Sequence, residues 1–268
     1  MSVMATISSE RFPEANKPDD IFFDGELYES QLSFTFPGPD VPFWIDLAKT
    51  HGPRVLELAC GTGRVTIPMF QSGIAVDGID FSESMLSLAR KHAEALSLNV
   101  RFLKGDLRSL PFEDEYDLMF MATATIAHLL TRTDVEAFLE GVRRGLHKSG
   151  LLALDMHNPM RTFLKRWPFD VNDSERTIRH LTTGESIRIL TTQEYSTDTQ
   201  ILVVRNHYTF ADGSTRDGNI VVRLYFPAEL QNLLYYNGFD VVKIHGAYGL
   251  GEFNSESERY VILARPRA

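Results

Sequence analysis

Between Pro53 and about Asn158 the chain alternates short apolar runs with stretches whose apolar residues recur every three or four positions. The runs are "RVLEL", "AVDGID", "VRFLKGD", "YDLMFMA" and "LLALDMHNP". Runs this short, separated by helical stretches, predict a mostly parallel sheet with helices on its faces, an α/β fold. In "FSESMLSLARKHAEAL" the spacing puts Met85, Ala89, Ala93 and Leu96 on one helical stripe, with Ser82 as N-cap. "TDVEAFLEGVRRGLHKSG" carries the clearest helical pattern. Thr133 with Glu136 makes a capping box, Val135, Phe138, Leu139, Val142 and Leu146 make the stripe, and Lys148 and Gly150 close the end.

After Pro159 the period drops to two. "ERTIRHL", "ESIRILTTQEY", "QILVVRNHYTF" and "NIVVRLYF" are separated by Gly184, by Thr197 to Thr199 and by Asp212-Gly213, which predicts an antiparallel meander in a sheet of its own. Alternation places Arg188 on one face of its strand, Arg205 and His207 on one face of the next, and Arg223 and Tyr225 on one face of the last. Pro227 then opens the helix "PAELQNLLYYNG", Gly238 ends it, and two further strands follow. The resulting division is an N-terminal leader and lid over 1–38, an α/β core over 39–158, an antiparallel β insertion over 159–226, and the return of the core over 227–268.

Composition narrows the function classes. Apolar residues make up 43% and charged residues 24% of 268, and no apolar run is long enough to cross a bilayer, so a globular chain without membrane partners is expected. The net charge of −9 opposes binding to the phosphate backbone of nucleic acid. One cysteine, Cys60, excludes an internal disulfide and a cysteine-based metal cluster, and no metal site is expected. The first twenty residues lack a basic start followed by an apolar stretch, so a cytoplasmic location is expected.

The stretch "VLELACGTGR" places a glycine turn between a strand and a helix, where a ligand can approach the backbone at Gly61 and Gly63. A dinucleotide loop needs a third glycine where Thr66 stands, and a P-loop needs lysine followed by serine or threonine where the chain has Arg64. The turn is a poor phosphate cradle. A positive φ at Ala59 would count against a cofactor there.

"ELACGTG" resembles the first motif of class I S-adenosylmethionine-dependent methyltransferases. "DGIDFSESMLSLAR", "FLKGDLRSLPF" and "YDLMFMATATIAHL" are similar, in order and spacing, to the segments that follow it in that family. The resemblance implies a Rossmann-like fold with a mostly parallel seven-stranded sheet, S-adenosyl-L-methionine as cofactor and S-adenosyl-L-homocysteine as product. It carries cofactor contacts to Glu57, Ala59, Gly61, Gly63, Asp80, Phe81, Met85, Asp106, Leu107 and Ala122. In that assignment Asp80 takes the ribose hydroxyls, Asp106 the adenine amine, and the turn near Glu57 the methionine end. Each acid also has a purely structural reading: Glu57 hydrating the turn, Asp80 capping the next helix, Asp106 stabilising a turn before Pro111.

The resemblance extends to small-molecule enzymes, the sugar N-methyltransferases and relatives of glycine N-methyltransferase, where a lid follows the fifth strand. It implies a small-molecule acceptor, methylated at an amine nitrogen, with His128 as proton acceptor and Tyr28 of "FFDGELYES" set against the sulfonium or the acceptor. His157 and Asn158 at the end of the fifth strand, and the basic strand face with Arg205 and Arg223, are the candidate acceptor contacts. Transfer to oxygen or carbon stays open, as do a nicotinamide-dependent oxidoreductase and a cofactor-binding protein without catalysis. The lid sheet offers an edge for a homodimer.

Overall fold

The computed structural model describes residues 22, 24–35, 40–166, 174–248 and 251–267. The leader expected over 1–38 therefore lies largely outside the described residues. What is described of it is helix α1 (Gly25–Thr35), followed by α2 (Asp40–His51).

The five apolar runs form β1 (Arg54–Leu58), β2 (Ala75–Asp80), β3 (Arg101–Lys104), β4 (Tyr116–Met121) and β5 (Leu146–His157). Helices α3 (Thr66–Gln71), α4 (Glu83–Ala95) and α5 (Arg132–Gly145) connect them, and the short α6 (Pro159–Thr162) follows β5. The return adds α7 (Pro227–Tyr236), β10 (Phe239–His245) and β11 (Arg259–Pro266). The seven strands lie in the order β10-β11-β5-β4-β1-β2-β3. All neighbours from β5 to β3 are parallel, and β11 is antiparallel to both β5 and β10. This is a Rossmann-like sheet, and its parallel strands bring their carboxyl ends to one edge, where open α/β sheets bind ligands.

Alternation along the strands sorts the core into two layers. Leu56, Leu58, Met119, Met121, Leu152 and Leu154 pack beneath α5 and α7 with Phe138, Val142, Leu230 and Leu234. Val55, Val76, Leu118, Phe120, Leu151 and Ala153 pack on the other side beneath α2 and α3 with Trp44 and Met69. Trp44 stacks on Phe120 with ring centres 4.8 Å apart. Ser82 caps α4 by accepting from the Met85 N–H at 3.3 Å, as the sequence predicts.

Helix α5 departs from the expectation at both ends. Its capping box is Thr131 with Asp134, two residues earlier than the pair Thr133 and Glu136. Both pairs satisfy the same spacing rule, and the earlier one starts the helix where the preceding turn ends. The helix stops at Gly145 rather than running towards Gly150, because Leu146 already pairs with Tyr116 in the sheet.

The insertion forms its own sheet of β6 (Ser174–Arg179), β7 (Ser186–Ser196), β8 (Ile201–Thr209) and β9 (Thr215–Arg223), in that order and antiparallel throughout. Strand β9 ends at Arg223, so Tyr225 lies beyond the strand on which alternation set it. One face carries Ile178, Ile187, Ile189 and Tyr208, which bury Leu27 of α1. Helix α1 is braced on both sides. Arg216 of β9 pairs with Asp24 at 2.7 Å, and Leu181 N–H donates to Ser30 Oγ at 3.1 Å. From the core side, Ser84 of α4 accepts from the Gly25 N–H at 3.1 Å.

Candidate active site

At the carboxyl end of β1 the chain turns through residues 59–63. The Cys60 N–H donates to the Ile79 carbonyl at 3.0 Å, and the Gly61 N–H donates to Asp80 Oδ2 at 2.9 Å, which ties the turn to the end of β2. The close approach requires Gly78, where a Cβ would lie 2.7 Å from Cys60 Sγ. Gly61 has φ +55°, and a Cβ there would meet nothing within 4 Å. The backbone therefore faces open space at that point, which is what a ligand approaching the turn needs.

That space is a pocket of about 320 Å³, including its mouth. Its floor is the turn with Glu57, its far wall is Ala122, Thr123 and Thr125 after β4, and Tyr28 of α1 and Arg64 close over it. Glu57 is 3% exposed and accepts a short hydrogen bond from Thr66 Oγ1. Burial raises its carboxyl to about 8, against the opposing pull of Thr66 and Arg64. Thr66 thus occupies the position of a third glycine as a hydroxyl donor to the motif's acid. Burial likewise pushes the Tyr28 hydroxyl up to about 12, so it stays neutral.

Ala59 has φ 55°, the conformation that counted against a cofactor. A left-handed alanine costs about 1–2 kcal/mol. Thr123 (φ 62°) and Ala124 (φ 57°), on and beside the opposite wall, share it. Backbone strain gathered at two sides of one pocket is a mark of binding sites, so the objection loses its force.

The other candidates are placed as follows. Asp80 is 6% exposed, and its second oxygen accepts from the Ser82 N–H at 2.8 Å. Burial raises its carboxyl above the ordinary range. The Phe81 N–H also bonds this carboxylate, so with three of about four acceptor sites used, one remains. Asp106 caps the turn Leu107–Ser109 through the Arg108 N–H at 2.8 Å, and the Arg108 guanidinium grips it at 2.6 Å, holding its carboxyl below the usual range. Asp80 and Asp106 are not among the pocket's walls. Met85 is buried, Phe81 is at the surface and Leu107 is half-buried.

His128 ends the turn Thr125–His128, with its ring 4.9 Å from Phe22 in an edge-to-face contact. Phe22 in turn lies 5.7 Å from Tyr28. His128 bonds the Val221 backbone of β9, and burial lowers its imidazole to about 4. At neutral pH the ring is uncharged, so when one nitrogen donates to that carbonyl the other keeps its lone pair. His157 sits farther along the edge, in a network where Arg259 holds the buried Asp155 and Tyr248 donates to the same carboxylate at 2.8 Å. Burial and the neighbouring Arg259 lower His157 to about 3. Asn158 Nδ2 donates to the Ser257 carbonyl at 2.9 Å.

Arg188, Arg205 and Arg223 share one sheet face by register, and each has a carboxylate: Glu175 at 3.6 Å, Glu194 at 3.0 Å and Glu229 at 2.8 Å. The structure does not bring Arg205 to the pocket. Sequence reasoning passed over Arg64 except as evidence against a P-loop. In the fold it grips Asp40 at 2.9 and 2.6 Å and Thr123 at 3.0 Å, joining α2, the glycine turn and the loop after β4. The only available signal was an arginine directly after the turn.

Comparison with known proteins agrees with this layout. Residues 55–150 match the family model described as "Methyltransferase domain". A putative methyltransferase, YqeM of Bacillus subtilis, is 34% identical over 119 residues, covering 44% of this chain and 48% of that protein. The chain spans about half the length of the curated relatives it matches. Among solved structures, the CcbJ methyltransferase of Streptomyces caelestis superposes with a TM-score of 0.75 at 24% identity, covering 93% of this chain and 97% of that one. The sugar N-methyltransferase KedS8 of Streptoalloteichus superposes with a TM-score of 0.68 at 16% identity, covering 100% and 99%. The structural likenesses show a shared fold over nearly the whole chain.

Proposed function

We propose that this chain, whose residues 55–150 make a class I, Rossmann-like methyltransferase domain, transfers the methyl group of S-adenosylmethionine to a nitrogen of a small-molecule amine. The observation that carries the reading is the open space in front of Gly61, bounded by Glu57, Ala122 and Tyr28 and tied to Asp80 by the Gly61 N–H. The residues present fit the cofactor. A glycine backbone in open space admits a bulky ligand, and Asp80 keeps about one acceptor site for a hydroxyl. The acceptor oxygens of Glu57 suit an ammonium better than a phosphate.

When bound, the cofactor supplies a methyl group on a positively charged sulfur. The chain's part is to hold an unprotonated nucleophile in line with it and to exclude water. Tyr28 closes over the pocket, and Phe22 links its ring to His128. His128, uncharged at neutral pH, offers a lone pair that accepts a hydrogen bond from the acceptor N–H and orients the nitrogen, and the proton released on methylation passes to solvent. The likeness in fold to KedS8, a sugar N-methyltransferase, over the whole chain supports an amine acceptor over a phenol or a carbon acid.

The test is a screen of amines, amino acids, amino sugars and phenols for release of S-adenosylhomocysteine. Turnover of amines supports the reading. Turnover of phenols alone overturns the choice of atom, and stabilisation by NAD in place of S-adenosylhomocysteine overturns the reaction class.

A further inference from the structure

Arg176 lies on β6, on the sheet face that packs against α1. Its Nη2 donates to Gln31 Oε1 at 2.8 Å, while its Nε is buried with no hydrogen-bond partner. No ion pair is formed by Arg176 among the described residues. The other partly buried arginines with described side chains each have a carboxylate within 4.0 Å: Arg64 has Asp40, Arg161 has Glu256, Arg216 has Asp24, Arg223 has Glu229, Arg259 has Asp155 and Arg267 has Asp240. Burial lowers the affinity of Arg176 for its proton, with only Tyr208 nearby to oppose it. A guanidinium partly withdrawn from water and paired with no carboxylate of the described residues is costly, and an anion supplied by a ligand would offset that cost.

Its neighbours hold it in place. Gln31 is pinned from its other end, where Nε2 donates to the Tyr208 hydroxyl at 3.0 Å, and the Asn206 side chain also donates to that hydroxyl. Gln31 follows Tyr28 by three residues on α1, about 4.5 Å along the axis and on an adjoining face. Tyr28 lines the pocket, so Arg176 is joined through Gln31 to the helix that closes over it.

We infer that Arg176 anchors an oxyanion of the acceptor, a carboxylate or a phosphate, so that the substrate is an amine carrying an acidic group. This inference rests on the proposed methyl transfer. It moves the acidic-group contact from Arg205 and Arg223, whose charges Glu194 and Glu229 already balance, to Arg176 on the opposite face of the same sheet. The planar guanidinium fork suits a pair of oxygens, and lysine does not replace it.

The experiment uses the full chain and a panel of matched acceptors: amino acids, their carboxamides, and aminoalkyl phosphates with the corresponding alcohols. Release of S-adenosylhomocysteine is measured for each. The expected result is kcat/KM at least tenfold higher for acidic members than for their uncharged partners, with the better of the carboxylate and phosphate arms identifying the group. Arg176→Gln raises KM for the acidic acceptor at least tenfold, with kcat and S-adenosylhomocysteine affinity within twofold of the parent, and Arg176→Lys restores only part of the loss. A purely structural role would lower cofactor affinity as well. Turnover of uncharged amines at equal efficiency, no turnover of any acidic amine, or an unchanged KM in Arg176→Gln overturns the inference. Cofactor binding in the same preparations shows separately whether the methyltransferase reading stands.

Discussion

Arg64 holds both carboxylate oxygens of Asp40, 24 residues earlier in the chain, and itself closes one side of the pocket over the glycine turn. Asp40 is 3% exposed, so removing the arginine leaves a buried charge without a partner. Arg64→Met is expected to lower unfolding free energy by about 3–5 kcal/mol in urea titration. The double variant with Asp40→Asn should recover most of that loss. A single variant as stable as the parent would mean that the pair does not join α2 to the turn.

Glu57 gives the stability of the protein a pH dependence. Its folded-state value of about 8 lies above the ordinary carboxyl value of 4.5, because burial favours the protonated form. Between those values the folded state holds a proton that the unfolded chain releases. Stability from this group is therefore full below about pH 4.5 and is lost as pH rises towards 8, at up to about 1.4 kcal/mol per pH unit. Glu57→Gln should flatten that part of the stability curve. An unchanged slope between pH 5 and 8 would show that Glu57 is ionised in the fold.

Ala59 is held at φ 55°, which glycine adopts without strain. Ala59→Gly is expected to leave stability unchanged or raise it by up to about 1 kcal/mol, since relief of strain exceeds the entropy of the added glycine. A loss larger than that in thermal unfolding would indicate that the Ala59 methyl packs more than it strains.

His128 is expected to remain neutral through the physiological range. Its value of about 4 lies below the ordinary 6.5, so the folded state binds fewer protons between the two, and stability falls as pH drops through that window. Imidazole resonances followed by NMR should titrate near pH 4, and turnover should show no acid limb at 6.5 from this group. His128→Ala should reduce kcat about 10²-fold or more, with S-adenosylhomocysteine affinity within twofold. Full turnover in that variant would remove His128 from the chemistry.

The strands were legible because each apolar run is short and bounded, and burial on both faces leaves a continuous signature in residues such as Val55 to Leu58 and Leu118 to Met121. The glycine turn was legible because Gly61 and Gly63 both need positive φ. Ionic partnerships were not. Arg205 and Glu194 meet across a hairpin, and Arg223 meets Glu229 around the start of α7, so the basic face inferred from alternation is balanced in the fold. Arg176 was passed over for the converse reason: that it pairs with no carboxylate among the described residues appears only in the fold. The start of α5 was misread by two residues because two overlapping segments satisfy the same capping rule.

Titration of S-adenosylhomocysteine into the protein tests most directly the claim that the turn after β1 holds the cofactor. The account predicts micromolar or tighter binding to the parent, no binding of NAD, and at least tenfold weaker binding to Gly61→Ala, whose added methyl enters the pocket without meeting any protein atom within 4 Å. No binding to the parent, or equal binding to parent and variant, would contradict it.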